Sequence, residues 1–131
     1  VRRMASLFKV GSRIETPIVA VFLRKGYGLG AQAMVGGSLH DPTYTVAWPS
    51  AEFGGMGLEG AVKLGFKKEL ESETDDKKRE DLFNELVAEA YERGKAIEAA
   101  AHLEIDAVID PEDTRSIIYK AVTMSLSQKR D

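Results

Sequence analysis

The chain has 131 residues, 44% of them hydrophobic and 30% charged, which is enough to bury one core and too few for two. Its 18 Lys+Arg against 21 Asp+Glu leave a net charge of -3, so no overall positive field is available to hold a polyphosphate backbone, and nucleic acid is not an expected partner. Cysteine is absent, which excludes disulfides, thiol nucleophiles and Cys-based metal sites and leaves only His40 and His102 for base or metal work. The longest apolar stretch, Pro17 to Leu23, falls far short of the roughly 20 residues of a membrane span. No apolar region with a small-residue cleavage site follows Val1-Arg2-Arg3-Met4, so the expected location is the cytoplasm.

In residues 1–25, Arg2, Arg3, Lys9, Arg13, Arg24 and Lys25 face only Glu15, whereas later segments are acidic. Met4, Leu7, Phe8 and Ile14 recur at helical spacing, with Arg2, Lys9 and Arg13 on another face. This predicts an amphipathic helix with a buried apolar stripe under a solvated basic face. After Thr16-Pro17, the continuous run Ile18 to Leu23 predicts a strand buried on both faces. Gly26-Tyr27-Gly28-Leu29-Gly30 then leads into Ala31-Gln32-Ala33-Met34, so strand, tight turn and helix start are packed together. Thr43 to Trp48 predicts a second strand, and Pro49-Ser50 breaks it before Gly54-Gly55-Met56-Gly57 opens a helix running to about Leu70. The two halves share one plan of strand, glycine turn and helix, without the sequence identity of a formal repeat.

From Lys67 to Asp81 charges of both signs crowd together, which predicts a solvated connection or an exposed helix end. Leu82, Phe83, Leu86, Val87 and Ala90 restore the helical period, and an alanine-rich helix follows Gly94. Ile105 to Ile109 reads as a short strand. Asp110-Pro111-Glu112-Asp113 is a helix start, with Asp110 as N-cap and Pro111 at the first position, and Ile117, Ile118, Ala121 and Val122 are expected on the buried side of the last helix. Alternating strands and helices make this an α/β domain.

The glycine turns admit several readings on spacing alone. Gly26, Gly28 and Ala31 match the dinucleotide pattern G-x-G-x-x-A, but no acidic residue closes a second strand at the usual distance. A P-loop needs lysine and then serine or threonine after its last glycine, where Ala31-Gln32 stand. Glycines that merely permit a tight turn and close packing remain open. So does an oxyanion hole, in which adjacent N–H groups at a helix N-terminus hold a developing negative oxygen. Elsewhere, Glu52 and Glu59 flank the second glycine cluster as weak acid–base candidates, Trp48 reads as core, His40 as a turn residue and His102 as a packing or surface residue.

Leu23 to Met34, Ala47-Trp48-Pro49-Ser50-Ala51-Glu52, Met56 to Val62 and Ile105 to Arg115 together resemble the carboxyltransferase (beta) subunits of biotin-dependent acyl-CoA carboxylases, of the propionyl-, methylcrotonyl- and acetyl-CoA carboxylase type. The resemblance covers nearly the whole chain and implies an α/β crotonase-like (ClpP/crotonase) fold. Residues 1–131 would form the later part of the C-terminal carboxyltransferase domain, incomplete on its N-terminal side. It implies transfer of carboxylate from carboxybiotin to the α-carbon of an acyl-CoA. In that chemistry the biotin anion removes the α-proton and the protein supplies positioning and oxyanion holes, which asks for no cysteine and no histidine.

By the same resemblance the backbone N–H groups of Leu29 and Gly30 are the catalytic donors on the biotin side. Gly28 permits the turn, Gln32 sits near the acyl pocket, and Ala31, Met56 and Gly57 complete the substrate- or biotin-binding set, with no metal. Leu29 stands where many members have glycine and Gly30 where many have alanine, and a backbone donor survives both changes. Implied partners are biotin on a biotin carboxyl carrier subunit, biotin carboxylase, the N-terminal carboxyltransferase domain and further copies of the chain. Location would be cytoplasmic, or the mitochondrial matrix in a eukaryote. Two alternatives stand beside this reading: a biotin-dependent acyl-CoA decarboxylase subunit and a truncated, non-catalytic assembly module of the same fold.

Overall fold

The structure is a computed structural model that describes residues 2–128, with the side chains of Arg2, Met4 and Gln128 outside the description. In chain order its elements are α1 (Arg2–Gly11), β1 (Val19–Phe22), β2 (Lys25–Tyr27), α2 (Gly28–Met34), β3 (Tyr44–Ala47), β4 (Glu52–Gly54), α3 (Leu58–Gly65), α4 (Lys67–Ser72), α5 (Asp76–Arg93), α6 (Ala96–Ala101) and β5 (Ala107–Val108). A 3-10 turn (Pro111–Asp113) then leads into α7 (Thr114–Gln128). The two β-branched runs become β1 and β3, which pair in parallel with Val19 opposite Tyr44 and Phe22 opposite Ala47. β5 adds to the far side of β3, also in parallel, with Val46 opposite Ala107. A second parallel sheet joins β2 to β4, with Lys25 opposite Glu52 and Tyr27 opposite Gly54.

The shared plan of the two halves therefore has a structural meaning. Each half is a strand in one sheet, a sharp corner, a strand in the other sheet and a helix, and the second unit lies beside the first in register. The corners are tied together where the Ser50 hydroxyl donates to the Leu23 carbonyl at 2.8 Å. Parallel strands cannot be joined by a hairpin, so a helix crosses over between the units. The core lies where α6 packs beside β4 and β5, next to the end of β3: Ala47, Ala51, Ala96, Ala99 and Ile105 are buried together, with Phe22 and Phe53 packed against them. Alanines on both sides bring helix and strand backbones close. The Phe22 and Phe53 rings, 4.9 Å apart and tilted by 55°, link the core to both sheets.

Polar groups clasp the third strand. Thr45 is buried; its N–H donates to Asp106 Oδ2 at 2.7 Å and its hydroxyl to the Leu39 carbonyl at 2.7 Å. The Asp110 N-cap forms as predicted, its Oδ1 accepting from the Glu112 N–H. Trp48 is half-buried, and its indole N–H donates to Thr114 Oγ1 at 2.9 Å at the start of α7.

Several expectations change. The α1 stripe is not buried: Leu7 and Ile14 are exposed and Phe8 is half-buried, because α1 rests on α2 rather than on the sheets. Met4 and Arg2, named for the two faces, have side chains outside the description. β1 is not covered on both faces, since only Ala20 is buried and its one pairing partner among the described residues is β3. The helix expected to run to Leu70 is broken at Phe66 into α3 and α4. The charged stretch from Lys67 to Asp81 is exposed, as expected, but it is α4 and the first turn of α5, where Asp75 accepts from the Lys77 and Lys78 N–H groups. On α7 Ile117, Ala121 and Val122 are half-buried, while Ile118 is exposed.

Candidate active site

The two glycine clusters meet because β2 and β4 pair in register. Gly28 follows β2 directly and has a φ of 58°, a conformation glycine adopts without a Cβ penalty. A Cβ at this position would lie 2.7 Å from the Gly55 carbonyl oxygen, so the second turn is nested against the first. α2 begins at Gly28, and its N-cap Tyr27 is extended and gives no side-chain cap. In such a start the N–H groups of Gly28, Leu29 and Gly30 have no acceptor within the helix and lie at the positive end of its dipole.

Beside this turn is a cleft of about 320 Å³. Gly26, Gly28, Gly54 and Gly55 give it bare backbone on one side, and Gln32 and Glu104 contribute its polar side chains. Of the site residues that the resemblance implied, Gly28, Ala31 and Gln32 line this cleft. Gly30 and Ala31 also border a second cleft of about 500 Å³, together with Val21, Phe22 and Met34. Leu29 lines neither and is 64% exposed. Met56 and Gly57 are exposed at the start of α3 and are not brought to the cleft. Gly54 and Gly55, just ahead of them, take that place because β4 ends there.

Glu104 escaped the sequence reading, and its position depends on how α6 ends. Leu103 takes a φ of 60°, its N–H donates to the Ala100 carbonyl and the Glu104 N–H donates to the Ala99 carbonyl. That pair of bonds is a Schellman closure, and it turns the chain so that Glu104 borders the cleft. The available signal was the helix end after the alanine run, where glycine is the usual residue and leucine stands instead.

The acid–base candidates lie elsewhere. Glu52 Oε2 accepts from the Tyr27 hydroxyl at 2.6 Å, and Glu59 Oε1 accepts from the Tyr91 hydroxyl at 2.6 Å. That second bond is the main cause holding the Glu59 carboxyl below its usual range, and it raises the Tyr91 phenol. Neither glutamate lines the cleft. His40 sits in an exposed turn, and exposed His102 has Nδ1 2.9 Å from the Glu98 carbonyl oxygen at the end of α6. Among the described residues no group of three or more His, Cys, Asp or Glu is placed to hold a metal ion, and no helix is long and apolar enough to cross a membrane. What the cleft offers is glycine backbone, one amide and one carboxylate, with the uncapped start of α2 entering it at Gly28.

A family model described as the carboxyl transferase domain matches residues 1–131. The methylmalonyl-CoA carboxyltransferase 12S subunit of Propionibacterium freudenreichii subsp. shermanii is 35% identical over 99% of this chain and 24% of its own length. A solved structure of a transcarboxylase 12S hexamer with methylmalonyl-coenzyme A bound superposes with a TM-score of 0.84 at 34% identity, covering 96% of this chain and 24% of that one. A single-chain, multi-domain long-chain acyl-CoA carboxylase superposes at 0.77 with 50% identity, over 92% of this chain and 11% of that one. The chain thus spans about a quarter of the length of the curated relative it matches.

Proposed function

The chain belongs to the carboxyl transferase domain family and has its crotonase-like α/β fold, and from that premise we propose that it forms the biotin-facing half of an active site that moves carboxylate from carboxybiotin to the α-carbon of an acyl-CoA. The observation that carries this reading is the nesting of the two glycine turns, which brings Gly28 at the uncapped start of α2, Ala31 and Gln32 into one cleft with Gly54 and Gly55. Biotin, bound to a carrier protein, supplies the carboxyl group. At Gly26, Gly28 and Gly54 the space a Cβ would take is filled by the Phe22 ring, the Gly55 carbonyl and Leu58, and Gly55 alone has open space there, so a flat, rigid ring would approach the backbone at Gly55.

In this reading the N–H groups of Leu29 and Gly30 donate to an oxygen as negative charge builds on it. Preorganised donors at a helix N-terminus act there without reorganising. Gly28 sets the direction of the turn, Ala31 leaves room above it, and Gln32 offers its amide to the acyl side. Met56 and Gly57 serve at one remove, by starting α3 after the second glycine turn. The acyl-CoA is held chiefly by another domain, so the chain alone transfers nothing, and assembly with that domain, with further copies and with biotin carboxylase and the carrier completes the enzyme. The hexamer described for the 12S structure supports the association of copies.

The test compares two variants in the full-length protein supplied with its biotinylated carrier. Gly30→Pro deletes one N–H donor and is expected to lower the transfer rate about 100-fold. Leu29→Ala keeps its donor and is expected to stay within about threefold. Equal losses with intact folding would transfer the role to the Leu29 side chain and overturn the donor reading. Acetyl-, propionyl- and methylcrotonyl-CoA should each be tried. Turnover confined to loss of carbon dioxide would make the protein a decarboxylase, and biotin-independent silence in both directions would leave a non-catalytic module.

A further inference from the structure

We infer that Tyr27 and Glu52 are positioning residues that fix the first turn of α2 through a single hydrogen bond between β2 and β4, an inference that rests on reading that turn as the donor site. Tyr27 is both the last residue of β2 and the N-cap of α2, directly ahead of Gly28. Its backbone is extended, with φ −106° and ψ 133°, and no side chain caps the helix. No side-chain hydrogen bond within the turn therefore fixes where the helix starts. The Tyr27 side chain instead reaches to Glu52 and donates to Oε2 at 2.6 Å in a partly buried position.

Glu52 is anchored independently of the turn. Its N–H donates to the Arg24 carbonyl at 2.7 Å, it pairs with Lys25 in the register of the two strands, and it bridges to Lys95 on the other side. Its neighbours are held too: the Phe53 N–H donates to the Gly94 carbonyl at 2.7 Å, and the Ala51 carbonyl accepts from the Ala96 N–H at 3.0 Å. The carboxylate thus hangs from a backbone gripped on both sides, and the phenol borrows that rigidity. Burial and then Glu52 hold the Tyr27 phenol above its ordinary range, so the hydroxyl remains a donor through neutral pH. Tyr91 and Glu59 form a similar pair, but it joins α5 to α3 and does not touch the turn.

Donors of this kind work only when placed before the reaction, and a displacement of about 1 Å can cost about 100-fold in rate. A charge-assisted hydrogen bond from the residue next to Gly28 is a direct way to prevent it. The experiment uses the full-length protein with its carrier. Tyr27→Phe is expected to lower kcat roughly tenfold while leaving KM for acyl-CoA within about threefold. Glu52→Ala should match it, and Glu52→Gln, whose amide oxygen still accepts, should recover to within about threefold of wild type. The double variant Tyr27→Phe/Glu52→Ala should be no slower than either single one, because both remove the same bond.

A second readout needs no turnover. The N–H groups of Ala31 and Gln32 are the first in α2 with acceptors inside the helix, and their hydrogen exchange should quicken roughly tenfold in Tyr27→Phe while α5 is unaffected. Faster exchange in a protein that transfers no carboxyl group would sink the functional reading and keep the positioning role. Wild-type exchange and kcat in Tyr27→Phe, a rise in KM alone, or additive losses in the double variant would each overturn the inference.

Discussion

At Gly28 the backbone and its neighbour impose the same choice of residue. Gly28→Ala would place a Cβ 2.7 Å from the Gly55 carbonyl oxygen at a φ of 58°, and the expected loss of stability is about 1–3 kcal/mol. Gly60, inside α3 with nothing within 4 Å of its Cβ position, is the contrast: Gly60→Ala should gain about 0.5–1 kcal/mol. Urea unfolding midpoints measure both, and a neutral Gly28→Ala would mean that the nested turns relax freely. The Glu59–Tyr91 bond makes a separate prediction. Because it lowers the Glu59 carboxyl, the stability it contributes is present above the ordinary carboxylate range and is lost as pH falls through the lowered value. Tyr91→Phe should raise the Glu59 titration midpoint toward its ordinary value in a carboxyl NMR titration, and an unmoved midpoint would show that the bond is not formed in solution.

Among the elements, α6 ends on Leu103, which lies in the left-handed region and is 79% exposed. Leu103→Gly removes the strain and sacrifices little packing, so it should raise stability by about 0.5–1 kcal/mol; a thermal midpoint at or below that of the parent would contradict this. How far the elements could be read from sequence follows from their lengths. β1 and β3 were legible because their β-branched runs are bounded by Pro17 and Gly26 and by Pro42 and Pro49, and the start of α7 because Asp110-Pro111 has the residues of a helix cap. β2 and β4 were not: Lys25-Gly26-Tyr27 and Glu52-Phe53-Gly54 are too short to show an alternation of two, and their glycines read as turn. Only the parallel neighbour makes them strands. The same rule divides the lining of the cleft. Gly28, Ala31 and Gln32 belong to one local turn and could be found in it, whereas Gly54 and Gly55 come in by strand pairing and Glu104 by a helix end far along the chain. Met56 and Gly57 were displaced from the cleft by the same unread strand. The apolar stripe of α1 had a real helical period, but periodicity does not say what will cover it.

On the scale of the whole molecule, apolar side chains remain on the surface: Met34 is 82% exposed, and Leu7, Val10, Leu23 and Leu29 are exposed as well. β1 lies at the rim of its sheet, and such edges and patches favour association. Sedimentation over a wide range of concentration should reveal species larger than the 14.4 kDa chain. A stable, protease-resistant monomer throughout would show that this surface is tolerated in water. The registers of the first sheet also bear on the order in which the molecule folds. Partners in β1 and β3 are roughly 25 residues apart, and those in β3 and β5 roughly 60. Closing the longer loop costs about 0.8 kcal/mol more if the chain between is flexible. α3 and α5 pack on each other within that loop, so a hairpin of helices formed early shortens the distance still to be searched. Docking of β5, with Asp106 closing on Thr45, is then the late event of folding. Ala99 and Glu104 reach their places with it, and the cleft acquires its second wall only as the chain completes its fold.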